Sequence, residues 1–252
     1  MHITYEIATL PYTCASMAEF FAPDMEMFGE SIAEMYPELD LHALAMLDMP
    51  ARIEAIHRAM EPRYTQAQEE LAEKQSAYQM EWDEQERAIT QAFQAVFGIP
   101  LQHRFEDVHA RVCLNPICPR YLAERTFDTF WLYSAKGSIA NALHELTHFI
   151  WFDRWQSLFH DDPATYEQPH LTWIFSELAI DAVLTDPRLK RFVLHPKAAE
   201  EPAYPSFYAL KVGEMPLIEM FRKLYGEETM EGFMRKGLAL CRQHEGLLRT
   251  AV

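Results

Sequence analysis

The residues best suited to chemistry are His144-Glu145-Leu146-Thr147-His148, an H-E-x-x-H pentapeptide. On a helix, two histidines four apart share a face and can bring two imidazole nitrogens to one metal ion. The glutamate between them, a step round the helix, points beside the position left open. This is the arrangement zinc hydrolysis needs: three protein ligands leave room for water, whose pKa falls to about 7, and a neighbouring carboxylate takes its proton. With 11 histidines in 252 residues, chance alone would supply such a pentapeptide in about one sequence in twenty of this composition, so its setting must decide.

The setting favours function. The motif interrupts an otherwise apolar helical run, Ile139 to Phe152, where two imidazoles and a carboxylate cost several kcal/mol unless a metal or hydrogen bonds compensate. A second apolar helical run, about Leu171 to Thr185, carries Glu177 and, one turn later, Asp181. Each polar set removes the other's cost if Glu177 is the third zinc ligand, and Asp181 then suits a supporting role, accepting the outer N–H of a ligand histidine. The connecting residues His160, Asp161, Asp162, Glu167 and His170 compete with Glu177 for the ligand position, but only Glu177 sits on a rigid apolar helix. Short runs before the motif, Ala110 to Leu114 and Thr126 to Tyr133 with Asn115-Pro116 between them, read as strands, one of which could pair with an extended substrate.

On His144, Glu145, Leu146, Thr147 and His148 together with the Ser176-Glu177-x-x-x-Asp181 pattern, the chain resembles the gluzincins, zinc metallopeptidases related to thermolysin, over roughly residues 105 to 185. The resemblance implies a compact core of a small sheet, an active-site helix and a glutamate-bearing helix. It implies Zn2+ held by His144, His148 and Glu177, with Glu145 as general base and Asp181 supporting a ligand histidine. It also implies a downstream Tyr or His that stabilises the tetrahedral intermediate, for which Tyr204, Tyr208 and His195 are candidates and Tyr204 is named. Ser176 stands where the family usually has Asn, and 28 residues separate His148 from Glu177, a longer spacing than is common. The metzincin extension fails, because Trp151 and Arg154 occupy the places of its Gly and third His.

The elements that must position these residues are mostly helical. Only 8 glycines are present, which excludes propellers and β-solenoids. From about Met17 to Phe97 the pattern is helical, punctuated by Pro23, Pro37, Pro50 and Pro62. The last and longest helix shows Tyr64, Leu71, Tyr78, Trp82, Ile89, Phe93 and Val96 as one apolar stripe. Lys136-Gly137-Ser138 offers a loop and an N-cap before the motif helix. The expected fold class is α+β: mostly helical, with a small sheet packed on a zincin-like active-site helix pair. The expected organisation is an N-terminal helical region over 1–100 and a catalytic region with C-terminal helices over 101–252.

A net charge of −16 repels phosphate backbones and anionic membranes, so nucleic acid is not an expected partner. No stretch reaches the ~20 uninterrupted apolar residues of a membrane helix. Met1 to Leu10 lacks the basic region of a secretory signal, and four cysteines are too few for a disulfide framework, so reduced thiols and the cytoplasm are expected. Cys113 and Cys118 read as buried thiols, and the methionines Met17, Met25, Met27, Met35, Met46 and Met49 as core filler. The function expected is zinc-dependent hydrolysis of peptide bonds in a peptide or protein substrate. Two alternatives stay open: a zincin-fold regulatory or interaction protein that acts through binding, and a latent peptidase plugged by its own helices.

Overall fold

Ile3, Tyr5 and Ile7 alternate with Thr4 and Glu6, and that period of two makes a strand, β1 (Ile3–Ile7), with Ile3 and Tyr5 fully buried. It opens a computed structural model that describes residues 1–101, 103–193 and 205–251, apart from the side chains of Asp24 and Pro205. Helices follow: α1 (Leu10–Glu19), α2 (Glu26–Met35), α3 (Leu41–Ala45), α4 (Met49–Gln66) and α5 (Gln68–Phe97). Thr9, Asp40 and Asp48 cap α1, α3 and α4 by accepting backbone N–H groups two or three residues into the helix. Pro50 lies in the first turn of α4, where its missing N–H costs nothing. Pro62, expected to separate helices, stands inside α4 instead. A proline removes only one interior N–H bond, and the break between α4 and α5 falls at Ala67.

The chain folds as two compact units, Met1–Glu86 with His103–Ile139, and Arg87–Gln102 with Ala140–Val252. In the first, β2 (Val108–Cys113), β3 (Arg120–Tyr121) and β4 (Thr126–Phe130) join β1 in a sheet of order β1-β2-β4-β3. The first three strands in that order run parallel and β3 is antiparallel to β4. Helix α5 closes the outer edge of β1 with side chains: Gln79 accepts from Tyr5 N at 2.8 Å and donates to Ile3 O at 3.0 Å, and Gln75 donates to Tyr5 O at 2.7 Å. The opposite edge strand, β3, is two residues long. Neither edge therefore offers the long row of free backbone groups that pairing with an extended substrate would need.

Register places Glu6, Arg111 and Asp128 in one row across the sheet. Asp128 is fully buried and accepts from Tyr12 Oη at 2.7 Å and Ser16 Oγ at 2.8 Å, both on α1. Arg111 stacks over the Tyr12 ring at 4.4 Å and reaches Glu6 at 3.5 Å. Burial pushes the Asp128 carboxyl up to about 6, against the hydroxyl bonds that lower it. Unfolded, the same group titrates near about 3.9, so the folded state holds the proton between the two values. The stability from this site is complete below about pH 3.9 and is lost as pH rises through about 6, a change of about 3 kcal/mol. Urea midpoints taken at pH 4.5 and pH 7 should differ less in Asp128→Asn than in the parent; equal differences in the two proteins would contradict this account.

Of the methionines expected in the core, Met17 is buried, but Met27, Met35, Met46 and Met49 are exposed at 49%, 42%, 86% and 42%. They lie on or beside α2, α3 and α4, helices that bury only two, one and three residues respectively and leave their other faces open. The long stripe is buried as expected from Leu71 to Val96, while Tyr64 sits on α4 and donates its hydroxyl to Ala8 O at 2.7 Å. All four cysteines are buried free thiols.

The second unit is helical. Helix α6 (Ala135–Phe159) begins a turn earlier than expected: Ser134 Oγ accepts the Gly137 N–H at 3.0 Å, and Ser138 lies buried inside the helix. From Ala140 onward α6 belongs to this unit. Helix α7 (Leu171–Leu184) has eleven of its fourteen residues buried, which makes it the central helix here. Then come α8 (Pro187–Lys190), α9 (Pro205–Ala209), a hairpin of β5 (Lys211–Val212) and β6 (Met215–Pro216), α10 (Leu217–Glu227), α11 (Met230–Gln243) and α12 (Glu245–Leu248). Gly213 turns the hairpin at a φ of +60°, a conformation other residues rarely adopt. Helices α10 and α11 pack on α7. Phe175 of α7 is surrounded by the rings of Trp151 and Trp155 from α6, Phe221 from α10 and Phe233 from α11, at centroid distances of 5.1, 5.8, 5.6 and 5.7 Å. The protein is mostly helical with a small sheet, an α+β fold at that level. Among the described residues no helix is long and apolar enough to cross a membrane.

Candidate metal centre

The helical spacing of the motif puts His144, Glu145 and His148 on one face of α6, and α7 presents Glu177 to it. Glu177 Oε1 lies 3.3 Å from His148 Nε2, and its Oε2 lies 3.7 Å from His144 Nε2. The two imidazoles meet edge to face with centroids 5.1 Å apart, and Glu145 Oε1 is 4.0 Å from His144 Nε2. One ligand atom each from His144, Glu145 and His148 falls within 4.8 Å of the others. Two histidines of α6 thus share one small volume with a glutamate of α7 that follows them by 33 and 29 positions in the chain.

Burial grades across the cluster. The His148 side chain is 0% exposed, Glu177 4%, Glu145 9% and His144 28%, so the cluster opens on its His144 side. The His148 ring lies parallel to that of Phe152, at 6.1 Å, and Phe152 stacks in turn on Tyr166 at 4.4 Å. Tyr166 comes from the segment between α6 and α7, which therefore closes the deep side of the site. Thr147 and Ser176 spend their hydroxyls within their own helices, on Leu143 O and Trp173 O.

Asp181 is occupied elsewhere. Four residues beyond Glu177, its carboxylate receives Arg222 Nε at 2.7 Å and Arg222 Nη2 at 2.9 Å, together with the Tyr208 hydroxyl. It ties α7 to α9 and α10 instead of holding a ligand imidazole. Asp181 pushes the Arg222 guanidinium up, and burial, followed by Asp181, does the same to the Tyr208 hydroxyl. Arg222 was not legible as part of this arrangement, because nothing in the sequence links it to a residue 41 positions earlier. Of the candidates for the downstream electrophile, Tyr208 donates to Asp181, and Tyr204 and His195 lie outside the described residues. The competing loop ligands are used elsewhere in part: Asp161 accepts the Trp155 indole N–H at 3.0 Å, and Asp162 caps the turn that carries Tyr166.

The donors can be tested against a metal. Zinc takes imidazole nitrogen and carboxylate oxygen at about 2.0–2.2 Å, which places neighbouring ligand atoms of a tetrahedral site about 3.4 Å apart. Two nitrogen-to-oxygen separations lie near that value, 3.3 Å from His148 Nε2 to Glu177 Oε1 and 3.7 Å from His144 Nε2 to Glu177 Oε2, each through a different carboxylate oxygen, and imidazole and carboxylate are donor types that zinc takes. Among the described residues a second grouping, His2 with Asp83 and Glu86, belongs to the first unit and is a partly exposed ion pair with a neighbouring acid. Compared with protein-family models, with curated proteins and with solved structures, the chain matches none of them.

Proposed function

We propose that this chain is a zinc-dependent metallopeptidase whose α6 and α7 form a gluzincin-like helix pair, with peptides or proteins as substrates. One observation carries the reading: a single buried carboxylate, Glu177, sits 3.3 and 3.7 Å from the Nε2 atoms of both motif histidines. Burying two imidazoles and two carboxylates together is costly, and shared coordination compensates it. His144, His148 and Glu177 would hold the ion, which supplies a Lewis acid that polarises a carbonyl and lowers the pKa of water.

The remaining steps belong to the chain. Glu145 is not needed as a ligand and flanks the site beside His144, where it takes a proton from the attacking water. As the C–O bond forms and the C–N bond breaks, the same carboxyl gives that proton to the leaving amine nitrogen. The buried His148 side, backed by Phe152 and Tyr166, excludes bulk water, so approach is from the His144 side. An intact glutamate between the histidines favours a hydrolase over a protein that keeps metal only for binding.

The test is hydrolysis of casein by the purified protein. Cleavage that a chelator abolishes and added zinc restores is the expected result. Cleavage indifferent to the chelator, or none in zinc-loaded protein, would overturn the reading.

A further inference from the structure

The first unit carries its own set of metal-ligand side chains, which shares no residue with the cluster on α6 and α7. His2 stands one residue ahead of β1, and Asp83 and Glu86, at i and i+3 on α5, share a face of that helix. One ligand atom from each of the three falls within 4.8 Å of the others, and His2 Nδ1 is 2.7 Å from Glu86 Oε2. Donors bonded at about 2.0–2.2 Å to one ion lie up to about 4.4 Å apart, so rotation of the exposed Asp83 side chain closes the triad on an ion.

The donors are held from behind. The His2 N–H donates to Phe105 O at 2.8 Å, which fixes the backbone that carries the imidazole. Gln79, one turn before Asp83, donates to Asp83 Oδ1 at 2.8 Å and to Ile3 O at 3.0 Å. One amide thus orients the carboxylate, ties it to the strand that follows His2 and leaves Oδ2 for a metal, as the outer partners of ligating carboxylates do. Charge points the same way. A single imidazole faces two carboxylates, and among the described residues no lysine or arginine pairs with either of them. A protonated His2 would still leave one negative charge over, whereas a divalent cation meets both carboxylates and takes the imidazole as a neutral ligand. One nitrogen beside carboxylate oxygens suits the borderline transition ions better than magnesium or calcium, which take oxygen donors.

We propose that His2, Asp83 and Glu86 form a second, exchangeable site for a divalent transition-metal ion such as Zn2+, which ties the residue ahead of β1 to α5. The His2 and Glu86 side chains are 44% and 31% exposed, so water completes the coordination and the ion leaves more readily than one held in the buried cluster. The three donors converge only in the folded chain, so occupancy stabilises the first unit. This site stands independently of the peptidase reading.

The test is calorimetric titration with zinc chloride of protein that has been loaded with zinc and then desalted, a step that empties the exposed site first. The parent should take up one further ion per chain, and His2→Ala and Asp83→Asn should each weaken that uptake at least about tenfold. Glu84→Gln, which removes a neighbouring exposed acid of α5 outside the triad, should bind as the parent does. Magnesium at the same concentration should not compete. Added zinc should raise the urea midpoint of the parent more than that of His2→Ala. A desalted parent that takes up no further zinc would overturn the proposal. So would His2→Ala and Asp83→Asn proteins that bind as tightly as the parent, or an equal loss in Glu84→Gln, which would mark diffuse attraction to an acidic helix. None of these outcomes bears on the peptidase reading, because His144, Glu145, His148 and Glu177 are unchanged in all four proteins.

Discussion

Glu145→Gln is expected to lower turnover of casein by about 10²–10⁴-fold while the protein keeps its zinc. The substitution preserves shape and removes only the capacity to take and return a proton. The Glu145 side chain is buried and flanks the cluster, 4.0 Å from His144 Nε2, whereas Glu177 lies closer to that nitrogen and also reaches His148. Metal retention and activity should therefore separate in this variant and fall together in His148→Ala. Turnover and zinc content on one preparation decide the matter. A Glu145→Gln protein that still turns over at the parent's rate would show that the proton is handled by another group.

Gly237→Ala should destabilise the second unit severely. A Cβ at Gly237 of α11 would stand 2.2 Å from Cζ of Phe175 and 2.7 Å from its Cε2. A flexible side chain could give way, but Phe175 is fully buried among Trp151, Trp155, Phe221 and Phe233. Overpacking of this kind costs about 1–3 kcal/mol or more, and each kcal/mol lowers the melting temperature by about 2–4 °C in a chain of this size. Phe175 lies two residues before Glu177 on α7, so zinc affinity should fall as well. The cause can be isolated: Phe175→Leu removes the ring, and adding Gly237→Ala to it should cost much less than adding it to the parent. Equal costs in the two backgrounds, read from urea unfolding, would contradict the packing argument.

The parts of this architecture written in local patterns were legible from sequence. The apolar run around Glu177 reads as a buried helix, and α7 occupies Leu171–Leu184, stopped by Asp186-Pro187. The strand-like runs on either side of Asn115-Pro116 became β2 and β4. Strand β1 was missed although Ile3, Tyr5 and Ile7 alternate, because five residues are a weak signal and the parallel partner begins about a hundred residues later. Pro62 was misplaced because the rule against interior prolines is energetic and α4 absorbs its cost. In the site, spacing brought His144, Glu145 and His148 together, and the cost of a buried carboxylate pointed to Glu177. Asp181 followed the same logic to a histidine, but its partners, Arg222 and Tyr208, come from later elements that no local pattern announces.

The central claim is that His144, His148 and Glu177 hold one zinc ion, and the most direct measurement is metal content by mass spectrometry on the purified protein beside His148→Ala and Glu177→Ala. The account predicts about one zinc per chain in the parent and none in either variant, with circular dichroism confirming that both remain folded. A parent that takes up no metal after zinc addition at neutral pH, or a folded Glu177→Ala that retains it at full stoichiometry, would contradict the claim.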